Sequence, residues 1–368
     1  MNKVKVCHLT SAHPHPDVRI FDKECVSLAE AGFEVHLVVC KGETQELNGV
    51  KVWQAGEVKG GRLARMINAA KAVYKKGLAL DADVYHLHDP ELLQFALMLK
   101  RKGKKVIYDA HEDLPRQVMG KYWIPKIVRK LVSVLIELLE NFIVRRLDAV
   151  VVATPIIGQR FQKVSTRTVV VNNFPIKDIQ FVEPKYGGKQ VCYAGGLTFN
   201  RGIDSMVAAM HFLPEDFELK LAGRYSPTDF RTKLVEMQGW SKVVEIGYVS
   251  RKEVREMVAQ SVAGLVTLRP LPNYLESLPI KLFEYMQAGV PVIASNFPYW
   301  KTLVEDQGVG VCVDPERPKE IADAMKYISD HPEVAKKMGD QGRKLVAEKY
   351  NWEHEAEQLV ALYSDLSL

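Results

Sequence analysis

The stretch 273–295, NYLESLPIKLFEYMQAGVPVIAS, sets the reading of the whole chain because it runs from loop to helix to strand in one unit. Pro279 suits a first helical turn, Leu282, Phe283 and Met286 supply an apolar face, and Gly289 fits the position just past the helix end. VPVIAS then reads as a buried strand, so the unit is α/β. Two glutamates, Glu276 and Glu284, stand with seven residues between them. Glu276 falls on the loop entering the helix and Glu284 about one and a half turns inside it. Lys281, in the first turn, opposes the helix dipole by about 0.3–1 kcal/mol, a conflict that a bound anion removes. The neighbours Phe283, Tyr285 and Met286 predict partial burial of Glu284, whose carboxylate then needs donors such as vicinal ribose hydroxyls. A solvated helix glutamate is the alternative.

The same alternation extends in both directions. KVKVCHLT, EVHLVVC, VYHLH, KVIYDA, AVVVAT and TVVVNN read as strands between helical segments, as in a parallel sheet of βαβ units. After Asn173 the text turns to FPIKDIQFVEPKYGGKQ, rich in proline, glycine and charge, and the pattern restarts with QVCYAGG, ELKLAG, VVEIGYV, AGLVTL and VPVIAS. Two Rossmann-like domains are expected, residues 1–173 and 174–349, with a closing helix at about 350–368 packing back on the first. A chain of 368 residues fits two such cores.

In open α/β sheets ligands bind beyond the carboxyl ends of the strands. In the first domain those ends carry Ser11 and His13, His88 and Asp89, His111 and Glu112, and Thr154, a polar rim that predicts a site. In the second, Arg201-Gly202 precedes the helix IDSMVAAM, so Arg201 and Lys281 each sit at a helix N-terminus. Together they form a candidate diphosphate cradle. Asp81-Ala82-Asp83 lies before the strand VYHLH, at the wrong end of the sheet for a metal-diphosphate site, and reads as a turn. His86 and His88 are expected to face opposite ways, and no cysteine–histidine spacing suggests zinc.

These residues resemble the glycosyltransferases of family 4, along nearly the whole chain. The E-x7-E element Glu276 to Glu284 followed by AGVPVIAS is its most specific part. DVRIFDKECVSLAEAGFEV (17–35), HLHDPE (86–91), YDAHED (108–113) and YAGGLTFNRG (193–202) support it in order and spacing. The resemblance implies an α/β, GT-B fold, two facing Rossmann-like domains with a cleft between them, and retaining transfer from a nucleotide-diphosphate sugar. It assigns Glu284 to the ribose, and Glu276 with the backbone of Ser277 and Leu278 to the donor sugar. Arg201 and Lys281 fall to the diphosphate, Gly195, Gly196, Gly223 and Tyr248 to the nucleotide side, and His111 to the donor sugar from the first domain. Gly196 and Arg201 stand where many members carry arginine and lysine, so Lys281 is expected to compensate. The glycine-rich loop common after the first strand is replaced by SAHPHPDVRI. There His13, His15 and Arg19 touch phosphate or acceptor, or Arg19 braces the loop against Asp22.

The implied partners are a UDP- or GDP-sugar donor and a glycan or lipid-linked acceptor, in polysaccharide or glycolipid synthesis, with no cofactor and no metal required. A nucleotide-sugar epimerase of the same fold and a two-lobed sugar-binding protein are the alternatives. A nicotinamide enzyme is excluded by the lack of G-x-G-x-x-G after any strand. Net charge of +5 and no recognition motif argue against nucleic acid. No secretory h-region opens the chain, and the scattered Cys7, Cys25, Cys40, Cys192 and Cys312 read as reduced thiols, which predicts a cytoplasmic protein. Residues 100–147 hold twelve Lys and Arg against five Asp and Glu, a local +7. Within them KYWIPKIVRKLVSVLIELLENFIVRRL combines Tyr122, Trp123 and Ile124 with bases such as Lys126, Arg129 and Lys130. It reads either as an interfacial helix on an anionic inner membrane face or as an amphipathic helix packed on its own domain with its bases solvated, since 131–144 is apolar enough for a core.

Overall fold

The structure, a computed structural model, describes residues 3–13, 15–56, 62–119, 125–165, 167–177 and 182–366. It divides into two compact units, Met1–Asn173 with Trp352–Leu368, and Phe174–Asn351. The expectation for Tyr122, Trp123 and Ile124 lies outside the described residues.

The first unit is built on strands β1 (Lys5–Leu9), β2 (Glu34–Val39), β3 (Gln45–Leu47), β4 (Val50–Gln54), β5 (Val84–Leu87), β6 (Lys105–Ala110), β7 (Ala149–Val152) and β8 (Thr168–Val170). Their order is β3-β4-β2-β1-β5-β6-β7-β8, and only β3 runs antiparallel, against β4. Runs such as VHLVV are buried throughout because helices cover both faces. Cys7, Leu9, Tyr85, Leu87, Val106 and Tyr108 fill one face. Val6, Val35, Val84, Ile107 and Val151 fill the other, under Ile20, Phe21 and the closing helix Trp352–Leu366. That helix is held by Trp352 Nε1 donating to Ser27 Oγ at 2.9 Å and by Glu355, which accepts from Asn172 N at 2.7 Å.

The second unit has β9 (Gln190–Ala194), β10 (Glu218–Ala222), β11 (Val243–Gly247), β12 (Ala263–Val266), β13 (Val292–Ser295) and β14 (Gly310–Val313). They are ordered β11-β10-β9-β12-β13-β14, and every pairing is parallel. This is a doubly wound sheet whose strand order reverses between β9 and β12, as the first unit reverses between β1 and β5. Each reversal opens a crevice at the strand ends, and the residues of interest gather there.

The apolar run 131–144 packs on its own unit through one face and leaves the other uncovered. It lies in the helix Lys126–Val144, whose inner face carries Glu140, which accepts from Tyr108 OH at 3.0 Å and pairs with Arg160 at 2.5 Å. Ile143 and Val144 join the core. Leu131, Leu135, Leu138, Leu139 and Phe142 are each more than half exposed, and Ile127 is 94% exposed. Among the described residues no helix is long and apolar enough to cross a membrane.

Candidate functional site

In the second unit the crevice is shaped by glycines that nothing larger can replace. Gly195, just past β9, has φ +145°, and a Cβ there would lie 2.4 Å from Lys281 Cε and 2.7 Å from its Nζ. The Lys281 side chain therefore rests directly on this backbone. Gly223, past β10, has φ +147°, and its Cβ would fall 1.8 Å from the Gly195 carbonyl oxygen. Beside them opens a cavity of about 340 Å³ lined by Gly195, Gly196, Gly223, Arg224, Tyr248 and Val254. Tyr248 is 75% exposed, and the Arg224 guanidinium lies 4.3 Å from its ring centroid. Arg224 is a residue that sequence reasoning misses. Its only signal is its place directly after a strand-end glycine.

The helix of the opening stretch spans Ile280–Ala288, with Pro279 as N-cap in extended conformation and no side chain capping the first turn. Its leading N–H groups point toward the crevice end of the sheet. Gly289 closes it at φ +74°. The entering loop is pinned by buried Trp300, whose Nε1 donates to Ser277 O at 2.8 Å, while Ser277 Oγ donates to Tyr274 O at 3.0 Å. Arg201 is half-buried, 6.0 Å from the Tyr274 ring. Lys281 is half-buried and 5.8 Å from the Tyr193 ring. Burial, then repulsion from Arg201, push its pKa down, with Glu284 opposing. The structure thus brings Gly195, Arg201 and Lys281 together. Ser277, Leu278 and Glu276 sit on the loop before Lys281, with Glu276 exposed. Glu284 is exposed, against the expectation of burial. Its neighbours Phe283 and Tyr285 are buried, but adjacent helical residues point about 100° apart.

In the first unit Asp89 joins the ends of β1 and β5, accepting from Ser11 N at 2.5 Å, Thr10 Oγ1 at 2.9 Å and Ala12 N at 3.2 Å. His13 lies 3.4 Å from Asp17 and 3.6 Å from Asp89, and its ring stacks on His111 at 5.6 Å. The hydrogen bond to Asp17 raises the His13 pKa, and Asp17 is held down to about 2 by His13 and by the backbone N–H groups of Ile20 and Arg19. His111 follows β6, half-buried, with Nε2 3.2 Å from Asp109 Oδ2. Burial holds its imidazole neutral against the pull of Asp109.

Three further expectations are corrected. Arg19 does not brace Asp22 but is buried, donating to Asp109 at 3.1 Å and Val171 O at 2.9 Å and pairing with Glu24 at 3.0 Å. Thr154 caps the helix Pro155–Phe161, its Oγ1 accepting from Ile157 N at 3.3 Å, so its polarity is structural. His86 and His88 share one face, ring centroids 4.5 Å apart, because residues two apart in a strand point the same way. His15 packs edge-on against Phe21 at 4.5 Å. Asp81 and Asp83 form the expected turn, pairing with Lys104 at 2.7 Å and accepting from Lys5 N at 2.9 Å.

With this geometry in place, comparison with known proteins is informative. Residues 23–174 match the model described as Glycosyltransferase Family 4, and residues 176–345 match Glycosyl transferases group 1. An alpha-D-kanosaminyltransferase of Streptomyces kanamyceticus is 29% identical over 182 residues, 48% of this chain and 46% of that protein. The chain thus spans about half the length of the curated relatives it matches. Among solved structures, the sucrose-phosphate synthase of Thermosynechococcus elongatus superposes with TM-score 0.78 at 19% identity over 99% of both chains. An Anabaena protein, HepE, solved with UDP and glucose gives 0.75 at 14% over 98% of this chain and all of that one. At such identities the likeness shows the fold.

Proposed function

The chain belongs to the glycosyltransferases of family 4, and from that premise we propose that it moves a sugar from a nucleotide-diphosphate sugar to an acceptor hydroxyl with retention at the anomeric carbon. The observation that carries this reading is the desolvated cation over Gly195. Lys281 packs over a glycine backbone, at an uncapped helix N-terminus, beside Arg201, beside a cavity large enough for a nucleoside. The desolvation of Lys281, its repulsion by Arg201 and its place at a helix N-terminus each cost stability in the free protein and are relieved by a diphosphate. The anomeric C–O bond to phosphate breaks and a bond to the acceptor oxygen forms. The acceptor proton passes to the departing phosphate, whose growing charge Arg201 and Lys281 offset without reorganising. Glu284 is assigned to the ribose hydroxyls, Glu276 with the Ser277 and Leu278 backbone to the donor sugar, and neutral His111 to a donor hydroxyl. Tyr248 and Arg224 offer a stacking platform for the base. Helix ends and bases hold the diphosphate with no bridging divalent ion. Relatives solved with UDP favour a UDP donor, with GDP second.

For the acceptor, the exposed leucine stripe of the helix Lys126–Val144 supports a lipid-linked glycan or glycolipid met at an anionic cytoplasmic membrane face. Exposed Lys130, Arg145 and Arg146 flank that stripe. Each base near such a surface contributes about 1 kcal/mol. The test is a panel of UDP- and GDP-sugars with acceptors, in EDTA, read by mass spectrometry and NMR. Transfer with retained configuration is expected. Epimerised donor with no acceptor consumed, an inverted product, or binding without turnover overturns the reading.

A further inference from the structure

The face of the first sheet under the closing helix carries a row of polar residues that the transfer chemistry does not use. His8 on β1 pairs in register with His86 on β5, and His88 and Asp109 continue the row at the ends of β5 and β6. Above it, the π-helical turn Val18–Cys25 delivers Glu24. We propose that His8, Glu24, His86 and His88 form a closed structural site for one zinc(II) ion.

The four side chains are buried, and one ligand atom from each lies within 4.8 Å of the others. Arg19 lies 3.0 Å from one oxygen of Glu24, but Oε2 has no hydrogen-bond partner. It sits 3.9 Å from His86 Nδ1 and 4.0 Å from His88 Nε2, too far for hydrogen bonds. Two ligands about 2.0–2.1 Å from a shared tetrahedral ion stand about 3.3–3.4 Å apart, so an ion draws the carboxylate inward by about half an ångström. A buried carboxylate oxygen aimed at three imidazoles and bonded to none of them calls for a cation. His86 Nε2 is also buried without a partner.

The surroundings fit the same ion. Asp109 Oδ2 lies 3.3 Å from His88 Nδ1 and is itself held by Arg19, so it fixes the tautomer that turns a bare Nε2 toward Glu24. Tyr363 OH is 2.7 Å from His86 Nδ1 and 3.3 Å from His8 Nε2; metal binding through His86 Nδ1 replaces the first of these contacts and leaves the hydroxyl to orient His8, whose Nδ1 faces the ion. In the structure His8 Nδ1 and His88 Nε2 are 2.8 Å apart, so an ion between them spreads the pair by a few tenths of an ångström. Three imidazoles and a carboxylate are a ligand set that suits zinc in tetrahedral coordination, and four protein ligands leave no open position, so the ion pins β1, β5 and the π-helical turn rather than acting on substrate. The inference does not rest on the transferase reading, because these residues all belong to the first unit and none of them is among the residues assigned to the diphosphate.

The test uses the full chain without a histidine tag. Protein denatured, stripped of metal and refolded with zinc is expected to retain one equivalent through native dialysis against EDTA and to melt higher than protein refolded without it. Refolding with cobalt(II) should give the intense visible bands of a tetrahedral site. Glu24→Gln and His86→Gln should abolish stoichiometric retention, and the exposed His211→Gln should keep it. Should the variants fail to fold, the wild-type cobalt spectrum decides by itself. Substoichiometric metal with no tetrahedral cobalt bands, or full retention in both variants, overturns the site and leaves a hydrogen-bonded histidine cluster.

Discussion

Lys281→Met is expected to stabilise the chain while weakening its hold on a nucleoside diphosphate, two effects of opposite sign from one substitution. Methionine keeps an unbranched stem of similar length lying over Gly195 and Tyr193. It deletes an ammonium that is desolvated, repelled by Arg201 and set against the dipole of an uncapped helix. The dipole conflict alone is worth about 0.3–1 kcal/mol, which in a unit of this size raises the melting temperature by about 1–4 °C. On the ligand side, a charge-assisted hydrogen bond to phosphate contributes about 1.5–3 kcal/mol, so UDP affinity should fall about 10- to 150-fold. The pH dependence follows the same logic. Free Lys281 has a pKa below its ordinary 10.5, and bound diphosphate raises it. The affinity it contributes is therefore full below the free-state pKa and lost as pH rises through the bound-state value. Conversely, its cost to stability is full at low pH and disappears as pH climbs through the depressed folded value toward 10.5. Calorimetry of UDP binding between pH 7 and 10, with melting curves of both proteins, reads all three. A lower melting temperature with unchanged UDP affinity would show that Lys281 is only a packing residue.

Glu284→Gln should leave the melting temperature unchanged, because the side chain is exposed, yet weaken UDP about tenfold or more and abolish the preference for UDP over its 2′,3′-dideoxy analogue. A preserved preference removes Glu284 from the ribose. His13→Gln should lower stability only below a limiting pH: the histidine's folded pKa is raised by Asp17 and the nearby Asp89, so its contribution is complete below about 6.5 and vanishes as pH rises through the folded value. Parallel melting curves from pH 5 to 9 would contradict this. Leu138→Glu combined with Lys130→Glu should cut binding to anionic vesicles about tenfold or more while sparing transfer to a soluble acceptor; equal flotation of both proteins with neutral and anionic vesicles refutes the membrane assignment.

Much of the fold is legible because parallel strands covered on both faces become continuous apolar runs, and VCYA, LKLA and VIAS announce themselves that way. The strands VKVWQ and GVCV are harder to read. One lies near a sheet edge and the other at one, each is half-covered, and Lys51 and Gln54 dilute the first. The glycines of the cavity are readable from their place at strand ends, since close backbone approach leaves glycine little competition. Arg224 is not, because its contact with Tyr248 depends on β10 and β11 lying side by side, a pairing that no local spacing encodes.

The basic helix and the histidine row show where local pattern misleads in opposite directions. Fourteen residues of apolar character, 131–144, look like a core element, yet the inner face of that helix is anchored by Glu140 and its leucines face outward. Apolar count measures the capacity for burial, and only the partner surface decides which face is covered. In the histidine row the error is one of parity. Strand residues two apart share a face, so the His86 and His88 pair was available to sequence reasoning, while opposite faces would require an odd separation. The sequence contains no hint that His8 lies opposite His86 or that a widened helical turn aims Glu24 at both, because those neighbours arise from the crossover that sets β1 beside β5. A ligand set drawn from three elements, with Glu24 sixteen residues after His8 and His86 sixty-two residues after Glu24, has no spacing to recognise. It becomes visible only as a row of like-facing side chains across adjacent strands, closed from above by a carboxylate with one oxygen left unbonded.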